Sequence, residues 1–460
     1  MVFNPQDFKG RKCCIIGYGK SGIACAQLLV SKGFEVLISE ARELRQDDTD
    51  PQTLAPAIKT EFGGHSEEVL ECGFAVKSPG IPQNRPVIVK MRAANIPVFS
   101  EVETALGFVP EARVFAVSGT NGKTTTTMLL GEILKRASKK SGKFRVHVAG
   151  NIGTPVSAVV PGMKRNDYIV LEASSYQLED SAFFKPAAAC ILNITPDHLD
   201  HHGTMSDYIS AKKNIFRQQG PQDSCVFNAA DKICLEISSE CPSNVLFFAR
   251  DAMESVRLDA FYDSGKIVFN LKNGHFEIDA PNLPGMHNIE NAMAAGLMAL
   301  SQGVSIDCVR EAFDRFKGVE HRIETVAVFN GIKCVNDSKA TNVDSTKVAL
   351  ESLASDDKNI WLILGGKDKG IPYAPLLPLV NQSVKTILTI GEAAQRIEDE
   401  LALAAEVVSC GTMDKAVTYA LGNAAENDIL LLSPACASFD QFKNFEERGE
   451  HFKKLILSRL

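Results

Sequence analysis

The sequence predicts an α/β protein of three domains, and two observations carry that reading. The chain has 460 residues, which at roughly 100–200 residues per domain makes about three compact units rather than one. Short apolar runs of strand length alternate with helical stretches, and the alternation restarts near residues 100 and 320, the pattern of separate parallel α/β sheets. The domains drawn from those restarts are 1–100, 101–319 and 320–460. Hydrophobic residues at 45% and charged ones at 23% suffice for several cores and exclude a disordered or fibrous chain.

In the first domain Cys13 to Ile16 reads as a strand entering Gly17-Tyr18-Gly19-Lys20-Ser21-Gly22, with a helix through Leu28, Leu29 and Val30 behind it. Phe34 to Ile38 is a second strand, ending at Ser39-Glu40, and Phe74 to Val76 and Pro97 to Phe99 complete a small Rossmann-like parallel sheet. A helical stretch around Glu101 to Gly107 leads into the second domain. There Arg113 to Val117 is a buried strand opening into Gly119-Thr120-Asn121-Gly122-Lys123-Thr124-Thr125 and a helix, the order of a phosphate loop in a P-loop-type nucleotide-binding domain. Strands at Arg145 to Ala149, Tyr168 to Leu171 and Ala188 to Leu192 each end in polar residues, where an open α/β sheet places its ligands. From His321 the pattern begins again, with strands at Lys333 to Val335, Trp361 to Leu364, Thr386 to Ile390, Glu406 to Val408 and Ile429 to Leu432 making a second Rossmann-like domain.

Lys and Arg number 49 against 56 Asp and Glu, a net charge of −7. No basic excess draws the chain to nucleic acid or to an anionic membrane, so small-molecule partners are expected. The twelve cysteines are scattered, many in apolar runs such as Cys13-Cys14-Ile15-Ile16, which reads as buried reduced thiols rather than a disulfide framework. The N-terminus carries no basic segment followed by an apolar stretch, and no run approaches the ~18 apolar residues of a membrane span, so a cytoplasmic chain is expected.

The Gly17, Gly19, Gly22 spacing with Glu40 at the next strand end admits a dinucleotide, another nucleotide or a structural turn. In the phosphate loop Lys123 would neutralise phosphate and Thr124 reach Mg²⁺, although Val117 stands where the strict pattern has glycine, making a shortened variant. Gly150-Asn151-Ile152-Gly153 and Glu172 follow neighbouring strands, Glu172 being either a metal ligand or a solvated loop acid. The run Asn193 to His202, with Asp197, His198, Asp200, His201 and His202, reads as one functional histidine with exposed neighbours rather than a structural zinc. Lys212-Lys213, from spacing alone, is a solvated helix face. Gly285-Met286-His287-Asn288 and Asn291 open a helix and would either read a base edge or cap that helix. His321-Arg322, Asn336 to Asn342, Gly365 to Lys369 and Ser433 to Phe442 lie at the strand ends of the third domain.

Taken together these motifs resemble the Mur ligase family, ATP-dependent amide-forming enzymes that build the peptide of bacterial cell-wall precursors. The resemblance spans all three domains, and Ser433 to Gly449 is similar to the D-glutamate-adding branch; the Asp-Asn-Pro-Arg motif of the branch adding a diamino acid does not occur. It implies transfer of the ATP γ-phosphoryl group to the alanine carboxylate of UDP-N-acetylmuramoyl-L-alanine, giving an acyl phosphate that the D-glutamate amine attacks, with ADP and phosphate as by-products. By the resemblance the UDP-substrate residues are Gly17, Gly19, Lys20, Ser21, Glu40, Arg42, Ser78, Gly80, Asn151 and His198, the match departing at Ala41. ATP would be held by Gly119 to Thr125, His287, Asn288, Asn291, Arg322 and Asp337, and D-glutamate by Lys339, Thr341, Lys369, Ser438, Phe439 and Phe445. Lys212, four residues after Tyr208, matches a carbamylated lysine. The resemblance therefore implies two Mg²⁺ ions at Thr124, Glu172, His198 and a CO₂ adduct of Lys212, with Lys123, Glu172, His198 and Lys212 as catalytic residues. It also implies a monomer that closes its third domain on the substrates. A dehydrogenase would share only the Gly17 to Gly22 unit, a folylpolyglutamate synthase would lack it, and a nucleotide sensor would have no use for Lys369 and Ser438.

Overall fold

The computed structural model of the protein describes residues 4–8, 12–45, 48–251, 253, 255–272, 274–355, 357–368 and 370–460. They form two compact units, Met1–Pro281 with Ile289–Phe316, and Asn282–Asn288 with Lys317–Leu460.

The first unit holds two sheets. One is five-stranded and wholly parallel, ordered from edge to edge as Ile58–Glu61, Glu35–Ser39, Lys12–Ile16, Phe74–Lys77 and Val98–Ser100. From Cys13 to Ile16 the strand Lys12–Ile16 is an uninterrupted apolar run because both of its faces are covered. Cys13 and Ile15 join one core with Leu29 and Val36, while Cys14 and Ile16 join the opposite core with Ile88 and Met91.

The second sheet has nine strands: Gly274–Asp279, Lys266–Leu271, Ala260–Asp263, Asn244–Phe248, Ser224–Asn228, Ala188–Ile191, Arg113–Ser118, Tyr168–Glu172 and Val146–Gly150. Here too alternate residues of the central strand divide between two cores, Phe115 and Val117 on one side and Val114 and Ala116 on the other. The sequence reading names none of the five strands from Ser224 to Asp279. The last two pair antiparallel with their neighbours, and Gly274–Asp279 alternates exposed with covered residues, so that strand lacks the solid apolar run by which the parallel strands are read.

The second unit has six strands, ordered Glu324–Phe329, Ile332–Asn336, Ile429–Leu432, Ile360–Gly365, Val384–Ile390 and Glu406–Gly411. All neighbours are parallel except the first pair. Edge strand Glu324–Phe329, absent from the sequence reading, exposes Thr325 and Val328 and buries none of its residues fully. All twelve cysteines are free thiols, and only Cys72 and Cys241 are not fully buried. No helix among the described residues is long and apolar enough to cross a membrane.

Candidate active site

In the first sheet the chain turns from one side of Lys12–Ile16 to the other, so the loops after this strand and after Phe74–Lys77 meet at the crevice where open α/β sheets bind ligands. Three glycines shape it differently. Gly17 has φ +106°, and a Cβ there would lie 2.6 Å from Ser78 Oγ; a Cβ on Gly22 would lie 2.3 Å from the Gly17 carbonyl oxygen. Both are demanded by the packing of the loops. A Cβ on Gly19 would meet nothing within 4 Å, and Gly19 precedes helix Lys20–Ser31 without a side-chain cap, leaving the helix N-terminus open to an anion. Glu40 accepts N–H bonds from Tyr18 at 2.9 Å and Arg42 at 3.2 Å. The Arg42 guanidinium is forked onto Asp48 at 2.6 and 2.8 Å, which holds the Asp48 carboxyl down to about 2. Gly80 and Lys20 are exposed and Ser21 is half-buried in the same region.

The second sheet gathers its site at the carboxyl ends of adjacent strands. Gly119 (φ +146°) and Gly122 (φ +85°) bend the loop between Arg113–Ser118 and helix Lys123–Ser141. Lys123 Nζ folds back to the carbonyls of Gly119 at 2.9 Å and Thr120 at 2.7 Å, and Thr124 is buried at the first turn of the helix. A clamp holds this loop: Asn193 Oδ1 accepts the Asn121 N–H at 2.8 Å and Asn193 Nδ2 donates to the Asn121 carbonyl at 3.2 Å. The Thr120 N–H donates to the Asn193 carbonyl at 2.9 Å, and the Thr120 hydroxyl lies 3.0 Å from Tyr208 Oη. Behind the loop, Asn291 Oδ1 accepts from the Thr126 hydroxyl at 3.2 Å and sits where a Cβ on Gly122 would be. Asn291 thus touches the phosphate loop, a placement its position in a helix-opening motif did not reveal.

Glu172, at the end of the adjoining strand, is 2% exposed, so its reading as a solvated loop acid is corrected. Its Oε1 accepts from Asn151 Nδ2 at 3.0 Å, while Oε2 is buried with no hydrogen-bond partner. An orphaned carboxylate oxygen beside a phosphate loop fits a bound cation.

Lys212 is likewise 1% exposed, which overturns the solvated-face reading for it; Lys213 pairs at the surface with Glu240. Helix Met205–Lys213 turns Lys212 inward, where Nζ donates to the Gly119 carbonyl at 2.9 Å and lies 4.6 Å from the Tyr208 ring centre. The same carbonyl accepts from Lys123. Burial, and then the Lys123 ammonium, push the Lys212 amine well below its ordinary range, favouring the neutral, nucleophilic form.

His198 caps helix Leu199–His202 in a left-handed conformation, φ +55°. Its ring is 3.3 Å from Asp197 Oδ2 and its centre is 4.8 Å from that of Tyr176. Its neighbouring histidines are not exposed. His202 is buried and the His201 side chain is only 5% exposed, His201 Nε2 lying 3.1 Å from Glu179 Oε2 and His202 Nε2 2.9 Å from the Ser175 hydroxyl. Burial lowers His202 to about 4. Glu179 and Asp180 also hold Lys77, at 3.2 and 3.1 Å. Lys77 is a fully buried lysine that sequence reasoning missed, its one signal being a cation at the end of an apolar strand.

In the second unit, burial pushes Asp337 up to about 7, despite bonds from the Ser433 hydroxyl at 2.8 Å and the Ile323 N–H at 3.2 Å. Burial and the Arg322 cation lower His287 to about 4, and Asn288 Nδ2 donates to the Pro284 carbonyl at 2.7 Å. Lys339 Nζ lies 5.4 Å from the Phe445 ring centre, Ser438 is buried, Thr341 half-buried and Phe439 72% exposed. Lys369 lies outside the described residues. The buried Arg448, also unassigned from sequence, ties two of these loops together through Ser338 Oγ at 3.0 Å, Ser338 O at 2.8 Å and Cys436 O at 3.1 Å.

Comparison with known proteins agrees with this layout. Residues 11–100 match the Mur ligase MurD-like N-terminal domain, residues 117–299 the Mur ligase middle domain, and residues 321–436 the Mur ligase glutamate ligase domain. The UDP-N-acetylmuramoylalanine--D-glutamate ligase of Elusimicrobium minutum is 51% identical, over 99% of this chain and 100% of its own. That of Koribacter versatilis is 43% identical, over 98% of each. Among solved structures, the UDP-N-acetylmuramate-alanine ligase MurC of Thermotoga maritima aligns with a TM-score of 0.61 at 21% identity, over 98% of this chain and 100% of its own. A pseudomurein peptide ligase type C of Methanothermus fervidus aligns with a TM-score of 0.59 at 19% identity, over 98% and 100%. At such identities these two speak for the fold alone.

Proposed function

The chain belongs to the Mur ligase family, and from that premise we propose that it adds D-glutamate to UDP-N-acetylmuramoyl-L-alanine at the expense of ATP, in peptidoglycan precursor synthesis. The observation that carries the reading is the convergence of a phosphate loop, the orphaned Glu172 carboxylate oxygen and the buried Lys212 amine at one sheet edge, in a chain whose whole length matches D-glutamate ligases.

A carboxylate is a poor electrophile. Attack of one carboxylate oxygen on the ATP γ-phosphorus, with ADP leaving, turns that oxygen into the bridge of an acyl phosphate, and the D-glutamate amine then displaces phosphate, which carries the oxygen away, to form the amide. Such transfer needs positioning and charge neutralisation more than proton transfer. Lys123 Nζ, now on two loop carbonyls, would exchange them for phosphate oxygens, and the loop amides fixed by Asn193 would cradle those oxygens. Thr124, Glu172, His198 and a carbamate of Lys212 would hold two Mg²⁺ ions, which when bound supply neutralising charge to the transferring phosphoryl group. Two lysine amines donating to one carbonyl repel each other as cations. That repulsion favours Lys212 as the neutral amine, the form that adds CO₂ and loses a proton to become an anion.

The UDP-substrate would occupy the crevice at Gly17, Gly19, Lys20, Ser21, Glu40, Arg42, Ser78 and Gly80, with Asn151 and His198 toward its reacting end. ATP would further use His287, Asn288, Asn291, Arg322 and Asp337. Lys339, Thr341, Lys369, Ser438, Phe439 and Phe445 would place D-glutamate. The domains of this scheme are 1–100 for the UDP-substrate, 101–319 for ATP and 320–460 for D-glutamate, in a cytoplasmic monomer acting on small molecules.

Substrate labelled with ¹⁸O in the alanine carboxylate tests the reaction. One label per released phosphate is expected, because the displaced oxygen originates in the carboxylate; unlabelled phosphate would contradict acyl phosphate formation.

A further inference from the structure

Outside the residues assigned to magnesium, Glu179, His201 and His202 present three donor atoms that all lie within 4.8 Å of one another. We propose that they form a binding site for a borderline divalent cation of the zinc class. The Glu179 carboxylate sits between the two imidazoles, with Oε2 3.1 Å from His201 Nε2 and Oε1 3.7 Å from His202 Nδ1. Around a tetrahedral ion with bonds of about 2.0–2.2 Å, donors are roughly 3.2–3.6 Å apart, so side-chain shifts bring three donors into place and leave the fourth position to solvent.

A second observation points to a ligand. The His202 side chain is 1% exposed, and its Nδ1 is buried with no hydrogen-bond partner while Nε2 faces the Ser175 hydroxyl at 2.9 Å. An imidazole donating its Nε2–H to a hydroxyl offers a lone pair at Nδ1, the arrangement by which metal-ligating histidines are oriented. Tyr176 holds the rings in place, its centre 4.3 Å from that of His201 and 5.5 Å from that of His202, stacked nearly parallel to the latter at 12°.

The chemistry selects the ion. Two imidazoles and one carboxylate suit zinc, copper or nickel and not the hard, strongly hydrated magnesium. Lys77 and Arg92 offset Glu179 and Asp180 through contacts of 3.1 to 3.2 Å, so an ion enters a neutral cluster and is held less tightly than in a cysteine-rich structural site. The other histidine and carboxylate group among the described residues, Glu320, His321 and Glu450, differs in that both of its carboxylates are exposed to solvent.

The test uses Co²⁺ as probe on the full chain, with excess Mg²⁺ and no substrates, so that its failure leaves the ligase reading untouched. One equivalent should bind and give visible absorption bands. His201→Ala and His202→Ala should each weaken it about tenfold or more, while His198→Ala and Lys212→Ala leave it unchanged. Retention in both His201→Ala and His202→Ala, or loss in His198→Ala, would overturn the site. X-ray absorption on the Zn²⁺-loaded wild-type protein in excess Mg²⁺ needs no variant: two imidazoles in the zinc shell are expected, and none or one would refute it.

Discussion

Gly19 and Gly22 are three residues apart, and a methyl group at each meets a different environment. At Gly22 it would press to 2.3 Å from a backbone carbonyl, so Gly22→Ala should destabilise the protein by about 1–3 kcal/mol. Gly19→Ala should leave the melting temperature unchanged and raise the KM for the UDP-substrate alone, because its Cβ enters open space where a pyrophosphate would approach. Equal melting temperatures for the two variants would contradict this division. Lys212→Ala should lose activity that short carboxylic acids partly restore, the added anion standing in for a carbamate; full activity without any additive would refute the carbamate. Asn193→Ala removes both bonds of the clamp on Asn121 and should weaken ATP binding by about 1–3 kcal/mol, read as a raised KM for ATP. At this scale the sequence revealed glycine spacing and the Gly-Lys-Thr ending, since those depend on local backbone. It did not reveal the burial of Lys212 or of His202, because adjacent lysines and a His-rich loop look solvated until another helix or strand covers them.

Elements differ in the same way. The central parallel strands were legible as solid apolar runs, but Gly274–Asp279 has one wet face whose alternation is easily taken for loop, and the edge strand Glu324–Phe329 buries none of its residues fully. Helix Glu101–Leu106 was legible in place but not in character: its two acids are buried. Glu103 Oε1 accepts the Phe183 N–H at 3.1 Å, Oε2 has no partner, and burial raises the group to about 8. The unfolded chain ionises it near its ordinary value of 4.5. Between these values the folded state binds more protons, so stability contributed by this group is present below about 4.5 and falls as pH rises toward 8. Glu103→Gln keeps the acceptor for Phe183 and removes the titration. It should match the wild type near pH 5 and exceed its stability at pH 8.5 by on the order of 3 kcal/mol, checked by thermal melts at the two pH values. A difference independent of pH would refute the buried proton.

Across the whole molecule, the motifs of all three sheets fall at the carboxyl ends of parallel strands: Gly17 and Ser78, then Gly119, Asn151 and Glu172, then Asp337, Gly365 and Ser433. Parallel sheets bind at that edge because helix N-termini and loop amides converge there, and it is why a linear list of motifs could be ordered into sites before the fold was known. The central claim is that these sites serve one reaction with one acceptor. Phosphate release from Mg-ATP with UDP-N-acetylmuramoyl-L-alanine, compared across D-glutamate, L-glutamate, a diamino acid and no amino acid, measures it most directly. Release that requires both the muramoyl nucleotide and D-glutamate is the predicted result; release with the diamino acid in preference to D-glutamate, or none with any acceptor, would contradict it.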